Sequence, residues 1–184
     1  MRIVFKNNKG FTMVELMTVA AIIGIIAAIG AAGYRQGERR VILDNQAFAF
    51  MQDVRRAQEL ALSSRGTGAA APGGYGIYLP PNAADHYFIY ADQNKNRNYD
   101  SGEEVERISL DAKIVISNMQ VQKNAASAWS VANFIDINYA APDLTARITK
   151  GADKYEGAKI VFSVVNGSQT RTAAANIAGL IYVE

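Results

Sequence analysis

The chain has 184 residues, no Cys, one His and a formal net charge of +2, from nineteen Lys and Arg against seventeen Asp and Glu. These counts exclude thiolate chemistry, a disulfide framework and any His-pair metal site within one chain, and a Ser-His-Asp triad would have to use His86. The length suits one domain with a real core, and the total charge argues for no polyanionic partner.

The charges are unevenly placed. Arg2, Lys6 and Lys9 stand in the first ten residues with no acid, residues 11–34 carry Glu15 alone, and the sixteen basic and sixteen acidic residues beyond them cancel. The apolar stretch that follows the basic start reads FTMVELMTVAAIIGIIAAIGAAGY, and nineteen of its residues, 16–34, are uncharged in a row. As a helix those nineteen would cover about 28 Å, close to the ~30 Å hydrocarbon core of a bilayer. One membrane crossing is expected. The positive residues before it place the N-terminus in the cytoplasm and the bulk of the chain outside, against a weaker opposing signal from Arg35, Arg39 and Arg40. A secretory signal peptide cut near residues 28–32 is the alternative. Against it stand Glu15, a carboxylate inside what would be the apolar core of such a signal, and the continuation of the apolar run into a helical pattern.

The residues Lys9-Gly10-Phe11-Thr12-Met13-Val14-Glu15 closely resemble the class III signal of type IV pilins and type II secretion pseudopilins. That signal is a short basic leader ending in Gly, then Phe, then Glu five residues into the mature chain. The resemblance implies that prepilin peptidase cuts between Gly10 and Phe11 and that the Phe11 amine is methylated. A glycine before the cut leaves an unhindered extended backbone for the protease. It also implies that Glu15 acts in assembly. A carboxylate at that depth needs a cation, and the N-terminal ammonium is the only one at the same level of a mature bundle. In a helix running from Phe11, Glu15 points away from its own terminus, so the amine of a neighbouring subunit is the better partner. The alternative is that Glu15 reaches for the cytoplasmic headgroups. Removal of residues 1–10 would leave a side-chain charge of −1, all of it Glu15.

The helical pattern continues without Pro to Ser64. Ala47, Phe50, Val54, Ala57 and Ala61 follow three/four spacing with Met51 and Leu60 beside them, an apolar stripe that predicts packing on a sheet. Gly66 and Gly68 supply a stop. The helix is thus expected over residues 11–64, about 54 residues and roughly 80 Å, with Gly24, Gly30 and Gly33 as weak points. Ala32 stands where many major pilins carry a kinking Pro.

The remainder predicts strands at 75–79, 87–90, 105–110, 114–117, 134–137, 146–149, 159–165, 169–172 and 180–183. Pro80-Pro81-Asn82 and Asn166-Gly167 serve as turns. The expected organisation is a leader at 1–10, a transmembrane and assembly helix at 11–34, an amphipathic helix at 35–66 and a periplasmic β-rich domain at 67–184. The fold class is α+β, pilin-like: a long N-terminal helix on a mostly antiparallel sheet, or on two. The layout resembles the GspH/FimT family of minor pilins and pseudopilins, as do the segment from Asp92 to Glu103 and the closing strands with Arg171 and Gly179-Leu180-Ile181-Tyr182.

Asp92, Asn94, Asn96, Asn98, Asp100 and Glu103 fall at positions one, three, five, seven, nine and twelve of an EF-hand count, all with oxygen donors suited to calcium. Arg97 occupies the position that wants Gly, Lys95 adds a second cation, and strands flank the loop. A structural Asx-rich turn is therefore favoured, with a weak calcium site at Asp92, Asn94, Asn96, Asp100 and Glu103 as the alternative. Arg147, Lys150, Lys154, Lys159 and Arg171 are the candidates for DNA contact, against a reading as solvated strand positions. No catalytic constellation emerges: His86 beside Asp85 reads as a turn, Glu103, Glu104 and Glu106 as a solvated edge, and Trp129 as a core or contact residue. No enzyme activity and no obligatory cofactor are expected. The expected function is that of a minor pilin or pseudopilin, anchored in the bacterial inner membrane with its globular domain in the periplasm and assembled into a type IV pilus or type II secretion filament. Its partners would be prepilin peptidase and other pilin or pseudopilin subunits. A minor pilin binding DNA or a surface ligand is the alternative.

Overall fold

The computed structural model of the chain describes residues 10–63, 71–81, 85–142 and 145–184. The basic leader up to residue 9, the helix stop at Gly66 and Gly68, and Asn82 lie outside the described residues. Among the described residues one α-helix, α1 (Met13–Ser63), is followed by eleven strands. The chain divides into two compact units, one up to Arg39 and one covering Arg40–Glu184.

The helix begins two residues later than expected because Thr12 caps it. Thr12 Oγ1 accepts the Glu15 backbone N–H at 3.2 Å, and the Thr12 carbonyl accepts the Leu16 N–H at 3.2 Å. Thr12-x-x-Glu15 is a capping-box spacing, with Glu15 at the third helical position and its negative charge in the favourable first turn. The helix runs unbroken through Gly24, Gly30 and Gly33, so those positions act as helix residues. Added side chains at Gly24 and Gly30 would meet nothing within 4 Å. The stretch Met13–Gly30 has a mean hydropathy of 2.3 and no buried residue.

In the second unit the strands are β1 (Tyr75–Leu79), β2 (His86–Ala91), β3 (Glu104–Ser109), β4 (Ile114–Gln122), β5 (Ser130–Val131), β6 (Ile135–Tyr139), β7 (Arg147–Lys150), β8 (Asp153–Tyr155), β9 (Gly157–Val164), β10 (Thr170–Asn176) and β11 (Ile181–Val183). They form a six-stranded sheet in the order β3-β2-β1-β6-β7-β8 and a five-stranded sheet in the order β11-β10-β9-β4-β5. Every pairing among the described residues is antiparallel. The expected strands are all present. Strands β5 and β8 were not expected; at two and three residues, with Ser, Asp and Lys among them, they carry no alternation to read. Strand β4 continues past Ser117 through a bulge between Ile116 and Asn118, which lets its polar middle stay in the ladder. Asn166 adopts φ 56°, the left-handed conformation that the tight β9–β10 connection demands.

The core forms where the expected helix stripe meets both sheets. Leu43, Ala47, Phe50, Val54, Ala57 and Ala61 are buried together with Ile77, Ile89, Ile137 and Ile148 of the larger sheet and Ile114, Val121, Ile160 and Phe162 of the smaller. Three alanines in the stripe let the sheets close on the helix. Phe50 lies between them, 5.1 Å from the Tyr87 ring, edge to face, and 5.6 Å from that of Phe162. Polar contacts fix the helix rotation: Tyr87 Oη donates to Asp53 at 2.5 Å, Arg56 pairs with Glu106 at 2.7 Å, and Arg171 pairs with Asp44. Burial pushes the Asp53 carboxyl up, and the Tyr87 hydrogen bond partly offsets it.

Candidate functional site

Three places carry chemistry. The first is the N-terminal segment. Gly10, Phe11 and Thr12 precede the helix, Gly10 with open space where a side chain would stand, and Phe11 is 83% exposed. Since the helix starts at Met13, Glu15 occupies its third position. The segment therefore offers an accessible, non-helical Gly10–Phe11 bond, with one carboxylate a single turn beyond it.

The second is the loop between β2 and β3. Its carboxylates serve its own backbone. Asp92, fully buried, accepts the N–H groups of Asn96 at 3.0 Å and Arg97 at 2.9 Å. Glu103 accepts those of Gln93 at 2.8 Å, Asn94 at 3.3 Å and Asp100 at 3.0 Å. Asp100 accepts the side-chain amides of Asn94 at 2.8 Å and Asn96 at 2.6 Å. Lys95 and Arg97 take φ of 63° and 61°, so Arg97 adopts the left-handed conformation although it is not Gly. Among the described residues no cluster of three or more His, Cys, Asp or Glu is arranged to hold a metal ion. The oxygen donors form a closed turn, with Asp92 and Glu103 turned onto backbone amides.

This turn is held down on the face of the larger sheet opposite the core. Tyr99 N–H donates to Asp136 Oδ2 at 2.7 Å, Tyr90 Oη donates to Asp136 Oδ1 at 2.6 Å, and Asn138 Nδ2 donates to Tyr90 Oη at 3.2 Å. The Tyr99 ring stacks on Tyr78 at 4.0 Å. Burial pushes the Asp136 carboxyl up to about 7 despite hydrogen bonds that favour its charged form. Sequence reading did not single out Asp136 and Asn138. Their signal was present, because Asp and Asn alternate with Ile in the run IDINY, which places both on one face of β6.

The third is the distribution of cations. Arg147 and Lys154 lie on neighbouring strands with Thr149 opposite Lys154, so they share the outer face. Lys150 falls on the opposite face of β7 and donates to the Val131 carbonyl at 3.0 Å. Lys159 pairs with Glu184 at 3.1 Å and sits 4.8 Å from the Trp129 ring centre, and Arg171 pairs with Asp44. Of the five residues singled out, two come together; they are joined by Arg97 and Lys123, which sequence reading did not choose. His86 Nδ1 lies 2.6 Å from Asp85 Oδ1, a contact that holds the exposed Asp85 carboxyl below its ordinary range.

Residues 5–31 match the family model of the prokaryotic N-terminal methylation motif. The chain is 31% identical over 98 residues to the pilin-like protein PilA1 of Thermus thermophilus, covering 53% of this chain and 57% of that protein. It is 34% identical over 92 residues to the fimbrial protein EcpB of Eikenella corrodens, covering 50% of this chain and 56% of that one. These matches support a relation of the chain to the type IV pilin superfamily. The chain spans little more than half the length of these curated relatives. No solved structure gives a significant match. The motif falls on the segment where the capped helix, the exposed Gly10–Phe11 bond and the unburied apolar stretch of this chain coincide.

Proposed function

We propose that the chain is a minor pilin or pseudopilin, cut by prepilin peptidase between Gly10 and Phe11, methylated on the Phe11 amine, and assembled through its apolar helix into a filament. The carrying observation is the methylation-motif match at residues 5–31, laid on a helix start whose Gly10–Phe11 bond is accessible and whose first eighteen helical residues have a mean hydropathy of 2.3 and are unburied. In this reading the precursor sits in the inner membrane with a cytoplasmic N-terminus, the strands form a periplasmic domain, and the protein is a structural subunit without enzymatic activity. The Asp92 loop and the closing strands support the minor branch. Glu15 is the assembly carboxylate. Its place at the third helical position keeps it near the level of a mature N-terminus, where it can accept a neighbour's ammonium.

Replacing Gly10 by Val puts a β-branched side chain at the scissile bond and should leave the larger, unprocessed species on a gel; a mature-sized product sinks the peptidase reading. Glu15→Ala should be processed normally yet fail to enter filaments, scored by subunit in sheared filaments against the membrane fraction. Unchanged incorporation would remove Glu15 from assembly. A DNA-binding role gains less support, because Lys150, Lys159 and Arg171 do not join Arg147 and Lys154 in one stripe.

A further inference from the structure

An open pocket of about 340 Å³ lies between the Asp92 loop and strands β7 and β8, walled by Arg97, Lys123, Arg147, Lys154, Tyr155 and Glu156 among others. Its volume falls at the small end of ligand pockets, which run from roughly 300 to 1,000 Å³. Four of its lining residues are cationic, and among the described lining residues Glu156 is the only carboxylate. This concentration differs in kind from a solvated strand face, because the two arginines are fixed by neutral acceptors. Arg97 Nε donates to Asn138 Oδ1 at 3.3 Å and its Nη2 to the Thr145 carbonyl at 3.3 Å, and Arg147 Nη1 donates to the Asn96 carbonyl at 3.2 Å. Their side chains are positioned without their charge being cancelled. Arg147 Nε is buried and has no acceptor in the protein. That N–H is closed to water, so Arg147 meets the pocket through its other lining atoms. The nearby buried carboxylate of Asp136 attracts Arg147, but its two oxygens already receive Tyr90 Oη and Tyr99 N–H.

We propose that this pocket binds a small multivalent oxyanion, a phosphate- or carboxylate-bearing group held by the Arg97 and Arg147 guanidinium groups and closed over by the Lys123 and Lys154 ammonium groups. Planar guanidinium forks match two oxygens of one anionic group, and the flexible rim lysines supply charge without fixed geometry. Tyr155 gives the remainder of the ligand an apolar wall. A nucleic acid duplex is a poorer occupant, because it needs a long stripe of cations and the other basic candidates are engaged elsewhere. The pocket stands independently of the filament reading, since every residue that forms it belongs to the second unit.

The test is calorimetry on the full chain in detergent at low ionic strength, with sodium pyrophosphate and sodium citrate as separate probes. Saturable one-site binding of at least one probe is expected. Tighter pyrophosphate assigns a phosphate-bearing ligand and tighter citrate a polycarboxylate. Arg147→Gln and Lys154→Gln should each weaken binding by roughly tenfold, the scale of one lost charge-assisted hydrogen bond. Arg147→Lys should also weaken it, because it keeps the charge but loses the planar fork. Arg107→Gln removes an equal charge from the exposed strand β3, outside the pocket, and should change nothing. Lys123→Gln and Lys154→Gln alter exposed side chains, so the test survives should an Arg147 variant fold poorly. No saturable heat at millimolar concentration of either probe overturns the pocket. So does an Arg107→Gln loss as large as that of Arg147→Gln, or duplex oligonucleotide binding that neither probe displaces.

Discussion

The two halves of helix α1 are both rich in apolar residues, yet they solve different problems. In the first, Met13–Gly30, the apolar side chains run all round the helix and none is buried. In the second they form one stripe, Leu43, Ala47, Phe50, Val54, Ala57 and Ala61, and all of it is buried. An all-round apolar surface cannot be satisfied by one sheet on one side, so it calls for lipid or for neighbouring helices on every side. A stripe flanked by Asp44, Asp53 and Arg56 calls for a partner on one face only, and the strands of the same chain supply it. The angular spread of the apolar residues, more than their number, separates an intermolecular surface from a core.

The sharpest way to break this comparison is to truncate one apolar side chain in each half. Phe50→Ala deletes a ring wedged between Tyr87 and Phe162 and should destabilise the second unit by about 3–5 kcal/mol, the usual range for a buried Phe. Trp129, the single tryptophan, belongs to that unit, so its fluorescence during urea unfolding of the full chain in detergent reports the loss directly. A change below about 1 kcal/mol would mean that the stripe is not what holds the sheets together.

A second difference is titratable. The stretch after Glu15 to residue 34 holds no acidic carboxyl and no Lys, Arg or His, whereas the strand unit buries Asp136 at 3% exposure with its carboxyl pushed up to about 7. In the unfolded chain that carboxyl returns to the ordinary range near 4, so between these values the folded state holds the extra proton. Stability of the strand unit should therefore be greatest at the acid end and fall as pH rises through 7, by on the order of a few kcal/mol in all. Burial also pushes Asp53 and Asp92 up, so Asp136→Asn should flatten the slope without abolishing it. The exposed Asp85 and Glu104 carboxyls are held low by hydrogen bonds from His86 and Tyr99, and act in the opposite sense only at lower pH. The window to measure is pH 5 to 8. A slope there identical in wild type and Asp136→Asn would show that Asp136 does not hold the loop as a titrating group.

The parts legible in the sequence were those with a repeating pattern. The helix stripe, nine of the strands and the N-terminal signal follow from periodicity or from one compact motif. Strands β5 and β8 were not legible because they are too short for alternation, and their ladder positions depend on longer neighbours. The start of the helix was misplaced because an apolar Phe11 reads like helix, whereas a Thr12 hydroxyl and a Glu15 amide decide the cap. The cation cluster was missed for a different reason. Arg97 comes from one loop, Lys123 from just past the end of β4, Arg147 from β7 and Lys154 from the edge strand β8, so their meeting depends on sheet order, and no local spacing records that.

The smallest expected effect sharpens the comparison most. Ile26 is 64% exposed within the chain, so Ile26→Ala should leave the Trp129 unfolding midpoint within about 0.5 kcal/mol of wild type. In a filament the same side chain would lie against other helices, and its loss should lower the share of subunit recovered in sheared filaments while the precursor remains membrane-bound. The paired readout matters because either half alone is ambiguous. A stability loss comparable to that of Phe50→Ala would mean that the first half of the helix is buried within its own chain. No change in either readout would mean that Ile26 faces lipid or solvent throughout, and would move the intermolecular surface to another side of the helix.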